Sequence, residues 1–240
     1  VDGALGSRGA LLIDDYSDRK GYRGIIRTPI DSVNNLAFRL AGTKFQMNTH
    51  AIGDKANRIV LNAYRYALFD FRDPRWRIEH AQVIAKEDFD LFNRKIIPSV
   101  QPTHATSDMY WLNERIGSQR AKYAYAYKDL LNKSKVIAFG TDFPVEDISP
   151  IMTFYSAVAR KDINCYPDEG FQIENSISRY DALTAMTIHG AYANFEEAEK
   201  GSIEVGKFAD FIILDNDILE LPESRIPKTK FVATFVNGEL

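Results

Sequence analysis

From residue 31 to residue 162 the chain alternates between two hydrophobic periods. In "DSVNNLAFRLAG" the apolar residues Val33, Leu36, Ala37 and Leu40 follow the spacing of one helix face, with Asp31 as N-cap and Gly42 as stop. "KFQMNTH" is a short strand pattern that ends on His50. "DKANRIVLNAYRYALFDF" returns to the helical period, with Ile59, Ala63, Tyr66 and Ala67 on one face. The alternation continues with "RWRIEHAQ" (strand), "AKEDFDLFNRK" (helix), "IIPSVQPTH" (strand) and "SQRAKYAYAYKDLLNKS" (helix). "VIAFGTDFP" (strand) and "SPIMTFYSAVARKD" (helix) complete it. Short strands alternating with longer helices predict an α/β fold, a parallel sheet covered by helices.

The polar residues fall at one level of this pattern. His50, His80, the pair Thr103–His104 and Asp142 each close a predicted strand, at spacings of 30, 24 and 38 residues, each the length of one βα unit. In a parallel sheet the C-terminal strand ends share one face, where active sites are built. Taken singly, His50 or His80 reads as readily as a satisfied structural histidine, and Asp142 as ordinary turn chemistry before Phe143-Pro144. Taken together, His50, His80 and Asp142 form a Zn²⁺-type ligand set with room for water. His104, after Gln101-Pro102-Thr103, reads as a substrate-contact or electrophilic residue, or else as a loop histidine bonded to backbone. Gly53 turns the chain into the next helix, which Asp54 caps, so both are candidates for the shell behind the ligands. Glu79 alternates away from His80 on the strand and points to the opposite face, toward the helices. His189, inside "SRYDALTAMTIHGAYANF", reads as a structural helix residue. The tyrosines of "KYAYAYKDLL" read as part of a helix or lid.

Composition removes other classes. The chain has 240 residues, 45% of them hydrophobic and 26% charged, which fits one globular domain or one domain with an appendage. The 30 basic and 33 acidic residues are well mixed and give a net charge of -3, so neither a nucleic-acid footprint nor a membrane-binding patch is expected. One cysteine, Cys165, excludes an intrachain disulfide. No apolar run reaches the roughly 20 residues of a membrane span, and a soluble, cytoplasmic chain is expected. No G-x-G-x-x-G follows a strand, which disfavours a nucleotide-binding Rossmann enzyme.

The ordered set "DGALGSRGA", "THAIGDKA", "RIEHAQ", "SVQPTHATSDMYW", "GTDFPVE" and "KGSIEVGKFADFIILDND" resembles the amidohydrolase superfamily. The likeness is to the YtcJ-like branch (amidohydrolase family 3) that includes N-substituted formamide deformylase, and it spans nearly the whole chain. The resemblance implies a metal-dependent hydrolase on a TIM-like (β/α)8 barrel, flanked by a β-sandwich, cleaving C–N bonds of a small non-peptide amide. His50 and His80 match metal ligands on strands 5 and 6. Asp142 matches the strand 8 aspartate that touches the metal and takes a proton from the nucleophilic water. Zinc is the metal expected.

The sequence also departs from the pattern. It holds no His-x-His, and it begins after the position of the strand 4 lysine. The expectation is therefore a C-terminal half: residues 1–200 supplying strands 5 to 8, and 201–240 a partial β-sandwich. Such a segment is expected to be inactive alone, to hold metal weakly, and to pair with the N-terminal half or with itself. A truncated, non-catalytic interaction module is the alternative function. In this expectation the tail strand "KFADFIILD" lacks partners and is poorly anchored or paired across an interface.

Overall fold

The computed structural model describes residues 1–240, which divide into two compact units. The first comprises Val1–Val100 and Ser107–Ile137, the second Gln101–Thr106 and Ala138–Leu240. No helix is long and apolar enough to cross a membrane.

The first unit is built on a parallel sheet. Its strands are β1 (Asn48–Ala51), β2 (Trp76–His80) and β3 (Ile96–Val100). Thr49 stands opposite Ile78, and Ile78 opposite Pro98. Helix α1 (Ile30–Ala41) precedes β1, and α2 (Asp54–Ala67) joins β1 to β2. The α/β class and the parallel sheet agree with the sequence pattern, whereas the helix faces are rotated from the expected ones. In α2 the buried hydrophobic side chains are Ala56, Val60, Leu61, Ala63, Tyr64 and Ala67, not Ile59 and Tyr66. Tyr64 explains the rotation. Its hydroxyl sits 2.6 Å from Thr49 Oγ1 and donates toward the carbonyls of Met47 (3.0 Å) and Arg77 (3.1 Å), so this tyrosine ties the helix to β1 and β2. A tyrosine with polar partners under the helix buries; one without them, Tyr66, stays in water. Trp76 packs edge-on against Tyr64, with ring centroids 4.9 Å apart.

Three other elements depart from expectation. Residues 86–91 form only a 3-10 turn, not a full helix. Strand β3 ends at Val100, because Pro102 begins helix α3 (Pro102–Asp108), where a missing N–H is tolerated. The tyrosine run does not lie in one helix. Helix α4 (Leu112–Ala121) is broken at Gly117, whose φ is 73°, and α5 (Tyr127–Ser134) starts only after a turn in which Tyr125 has φ 53°. At the start of α1, Pro29 takes the N-cap and Asp31 lies in the first turn.

The second unit contains strand β4 (Ala138–Phe139) and helices α6 (Pro150–Ala159), α7 (Arg179–Met186) and α8 (Ile188–Ala193). The long helix expected around His189 is interrupted at Thr187, whose φ and ψ are -122° and -94°, and His189 becomes the second residue of α8. The tail is not unpartnered. Strand β5 (Phe211–Leu214) pairs antiparallel with β6 (Phe231–Phe235) of the same chain, and Phe211 stacks on Phe235 at 4.6 Å. The ribbon still leaves Ile212, Ile213, Phe231 and Val232 exposed.

Candidate functional site

In the first unit, β1 and β2 are neighbours and each ends on or beside a histidine. Ala51 stands opposite His80, so His50 and His80 are offset by one residue. Their rings meet edge to face, with centroids 4.6 Å apart and planes at 71°. Two backbone features hold them there. His80 and Ala81 both have positive φ, 75° and 42°, a strained pair for non-glycine residues that persists only where the surroundings fix it. Val83 N–H donates to Ile52 O (2.9 Å), and Tyr125 N–H to Gln82 O (2.8 Å). Gln82 Nε2 also donates to the hydroxyl of buried Tyr125 (2.7 Å), which in turn bonds the Asp108 carboxylate.

Asn57, fully buried in α2, joins the two turns. Its Nδ2 lies within hydrogen-bonding distance of the carbonyls of Ala51 (3.1 Å), Ile52 (3.3 Å), Gly53 (3.0 Å) and Val83 (3.2 Å). The first three follow His50 and the last follows His80. Gly53 is required by close approach: a Cβ there would lie 2.0 Å from Leu11 O. The predicted cap role of Asp54 is corrected. Gly53 is the N-cap residue of α2, without a side-chain cap, and Asp54 is the first helical residue. Its Oδ1 accepts from Ile13 N–H and Lys55 N–H, both at 2.8 Å, so it anchors the 11–13 segment. Burial raises the Asp54 pKa above the ordinary carboxyl range. Glu79 pairs with Arg77 two residues back on the strand (3.0 Å), the face opposite His80.

In the second unit, His104 is the third residue of α3 rather than a strand end, and Asp142 lies just after β4 with φ 60°. The two are close: His104 Nε2 is 3.4 Å from Asp142 Oδ2, with side chains 10% and 38% exposed. Glu146 Oε1 lies 2.9 Å from His104 Nδ1. A carboxylate only accepts, so Nδ1 carries the hydrogen and, in a neutral ring, Nε2 presents its lone pair. That lone pair faces another acceptor, the Asp142 carboxylate. A positive charge would join the two groups, as a proton on the ring or as a cation shared between them. Hydrogen-bonded carboxylates behind histidines are also the usual outer shell of metal sites.

Within each unit the donor types suit a divalent cation: two imidazoles in the first, an imidazole and a carboxylate in the second. Three contributors escape sequence reasoning. Glu146, four residues beyond Asp142 in an irregular loop, has no periodicity to mark it. Asn57 sits in a helix interior where only its carbonyl partners reveal a role. Asp2, whose Oδ1 lies 3.3 Å from His50 Nδ1, is visible only as part of "DGALGSRGA".

Comparison with known proteins agrees with this chemistry. The profile of a family described as "Amidohydrolase family" matches residues 1–240. Among curated proteins, LONG AFTER FAR-RED 3 of Arabidopsis thaliana is 36% identical over the whole chain and 41% of its own length. YtcJ of Bacillus subtilis is 30% identical over the whole chain and 45% of its length. N-substituted formamide deformylase of Arthrobacter pascens is 26% identical over 87% of the chain and 38% of its length. The chain thus spans less than half the length of these relatives. Among solved structures, an uncharacterized metal-dependent hydrolase from Pyrococcus furiosus superposes with a TM-score of 0.79 at 32% identity, covering 92% of this chain and 44% of that one. With every one of its residues inside the family profile and imidazole and carboxylate groups at the ends of its strands, the chain belongs to the amidohydrolase family, in its YtcJ-like, formamide-deformylase-like branch.

Proposed function

We propose that the protein to which this chain belongs is a metal-dependent hydrolase of the C–N bond in a small non-peptide amide, such as a formamide, an N-acyl amine or a cyclic amide. The single observation that carries the reading is the His104–Asp142 contact backed by Glu146, an imidazole nitrogen and a carboxylate oxygen close enough to share a cation. The names of the deformylase and the Pyrococcus hydrolase support the bond and the metal.

In this reading His50, His80 and Asp142 hold the ion, and zinc suits two imidazoles and a carboxylate. A bound divalent cation supplies Lewis acidity and lowers the pKa of water toward about 7. Asp142 orients the attacking water, accepts its proton on a carboxylate oxygen and passes it to the departing nitrogen. His104, its Nδ1–H fixed by Glu146, directs Nε2 to the reacting centre. In its protonated form it polarises the substrate carbonyl. A second reading exchanges His50 for His104, giving His80, His104 and Asp142 as ligands. The short His104–Asp142 distance favours it.

The remaining architecture is proposed in the same terms. Residues 1–200 are the second half of a (β/α)8 barrel, and 201–240 contribute β5 and β6 to a flanking sandwich. The other barrel strands are expected beside this segment in the complete protein, from the same chain or a second copy. Asp142→Asn tests the mechanism in the complete natural protein. The amide is nearly isosteric but cannot take the proton, so turnover of N-formyl and N-acyl amines should fall by at least about 10²–10⁴-fold with the fold retained. Near-normal turnover removes Asp142 from the mechanism. His104→Asn separates the two ligand readings: if His104 serves the substrate, metal content stays and kcat falls; if it is a ligand, metal content falls as well.

A further inference from the structure

Asp2 is a charged residue with none of its side chain exposed to solvent. Its carboxylate is surrounded by backbone donors from two distant segments. Oδ2 accepts from Leu11 N–H (2.8 Å) and Gly53 N–H (2.8 Å), and Oδ1 accepts from Ile52 N–H (3.1 Å). The same Oδ1 lies 3.3 Å from His50 Nδ1. That nitrogen is itself buried and has no well-aligned hydrogen-bond partner, although the rest of the ring is 39% exposed.

We propose that Asp2 is the positioning residue for His50: its Oδ1 keeps the ring hydrogen on Nδ1, so that Nε2 presents a lone pair outward. This rests on the reading of His50 as a metal ligand. Two observations argue for the carboxylate rather than for loop packing alone. The three backbone N–H groups leave Oδ1 one free acceptor direction, and His50 Nδ1 lies 3.3 Å from that oxygen. The same three bonds also fix the turn that follows His50, because Ile52 and Gly53 are its second and third residues. One side chain thus sets both where His50 stands and which of its nitrogens can bind a cation. Outer partners of this kind typically matter by about 10–100-fold in metal affinity.

An asparagine at this position would reverse the arrangement. Its single oxygen would go to the Oδ2 position, where two strong donors meet. Its NH₂ would then face Ile52 N–H and His50 Nδ1. Nδ1 would have to become the acceptor, and the hydrogen would move to Nε2, the nitrogen offered to the ion.

The test is imidazole ¹⁵N NMR on the metal-free complete protein, with His50 assigned by its loss in His50→Ala, together with zinc titration. The wild type should show Nδ1–H and a bare Nε2, Asp2→Asn should show Nε2–H, and zinc affinity should fall by about 10–100-fold. In a His50→Ala background, Asp2→Asn should cause no further loss of affinity. Asp2→Asn with unchanged tautomer and affinity overturns the proposal, as does an additive loss in the double variant. If Asp2→Asn fails to fold, the wild-type spectrum decides alone, because Nε2–H there contradicts the proposal. Full zinc affinity in His50→Ala refutes instead the assignment of His50 as a ligand. The tautomer, read without metal, still judges the role of Asp2.

Discussion

Replacing Asn57 tests how the two histidine-bearing turns are held together. Its side chain is wholly buried, its Oδ1 has no hydrogen-bond partner, and Nδ2 faces four carbonyls. An amide has two N–H hydrogens, so at most two of those contacts are strong at once. Asn57→Ala removes both and leaves buried carbonyls short of a donor, at about 1–3 kcal/mol for each group left unsatisfied. Some of these carbonyls retain backbone partners: Ile52 O accepts from Val83 N–H, and Gly53 O from the N–H of residue 57 itself. The expected cost is therefore about 2–4 kcal/mol in total. For a chain of 240 residues that is a fall in Tm of about 2–4 °C per kcal/mol. Asn57→Asp distinguishes donation from volume. It keeps the shape but turns a carboxylate oxygen toward the carbonyls, and should be worse than alanine. Urea denaturation of both variants gives the comparison, and zinc titration should show weaker binding in each. An alanine variant within about 0.5 kcal/mol of wild type, the range of featureless surface changes, would refute the reasoning. So would an aspartate variant more stable than alanine.

Other outcomes follow from individual contacts. Tyr64→Phe should cost about 1–3 kcal/mol, because Thr49 and the Met47 and Arg77 carbonyls lose their shared hydroxyl, and thermal unfolding checks it. Asp54→Asn should be neutral or stabilising at pH 7, since one amide oxygen can accept from both Ile13 and Lys55 N–H. The sign follows from its raised pKa: the ionised buried form is disfavoured in the folded state, so Asp54 weakens folding at neutral pH, and this is relieved as pH falls through the raised value. Stability measured from pH 7 downward should show that relief in wild type and not in Asp54→Asn. Glu146→Gln should lower kcat more than metal content, because a glutamine oxygen still accepts from His104 Nδ1–H but no longer stabilises a charged ring.

Much of the fold is legible where period and burial coincide. Strands β1 and β2 and helices α1, α2 and α6 form where their patterns place them, although α1 and α2 bury rotated faces, and the histidines at the ends of β1 and β2 come together as their positions imply. The pattern misleads where local chemistry overrides it. Pro102 converts an apparent strand end into a helix start and puts His104 in the first turn of α3. Gly117 and the positive φ of Tyr125 break what periodicity joins. Least legible are groups defined only by partners far away in sequence. Asp2 meets Ile52 and Gly53 some fifty residues on, and Glu146 meets His104 forty-two residues back. Nothing local marks either carboxylate as the neighbour of a histidine, because the signal is in the packing.

The most direct measurement of the central claim is turnover of N-formyl and N-acyl amines by the complete natural protein before and after metal removal by a chelator, with metal content measured in parallel. The account predicts a bound divalent cation, loss of turnover with loss of metal, and recovery when zinc is restored. A protein that, stripped of metal, hydrolyses these amides at the original rate contradicts it.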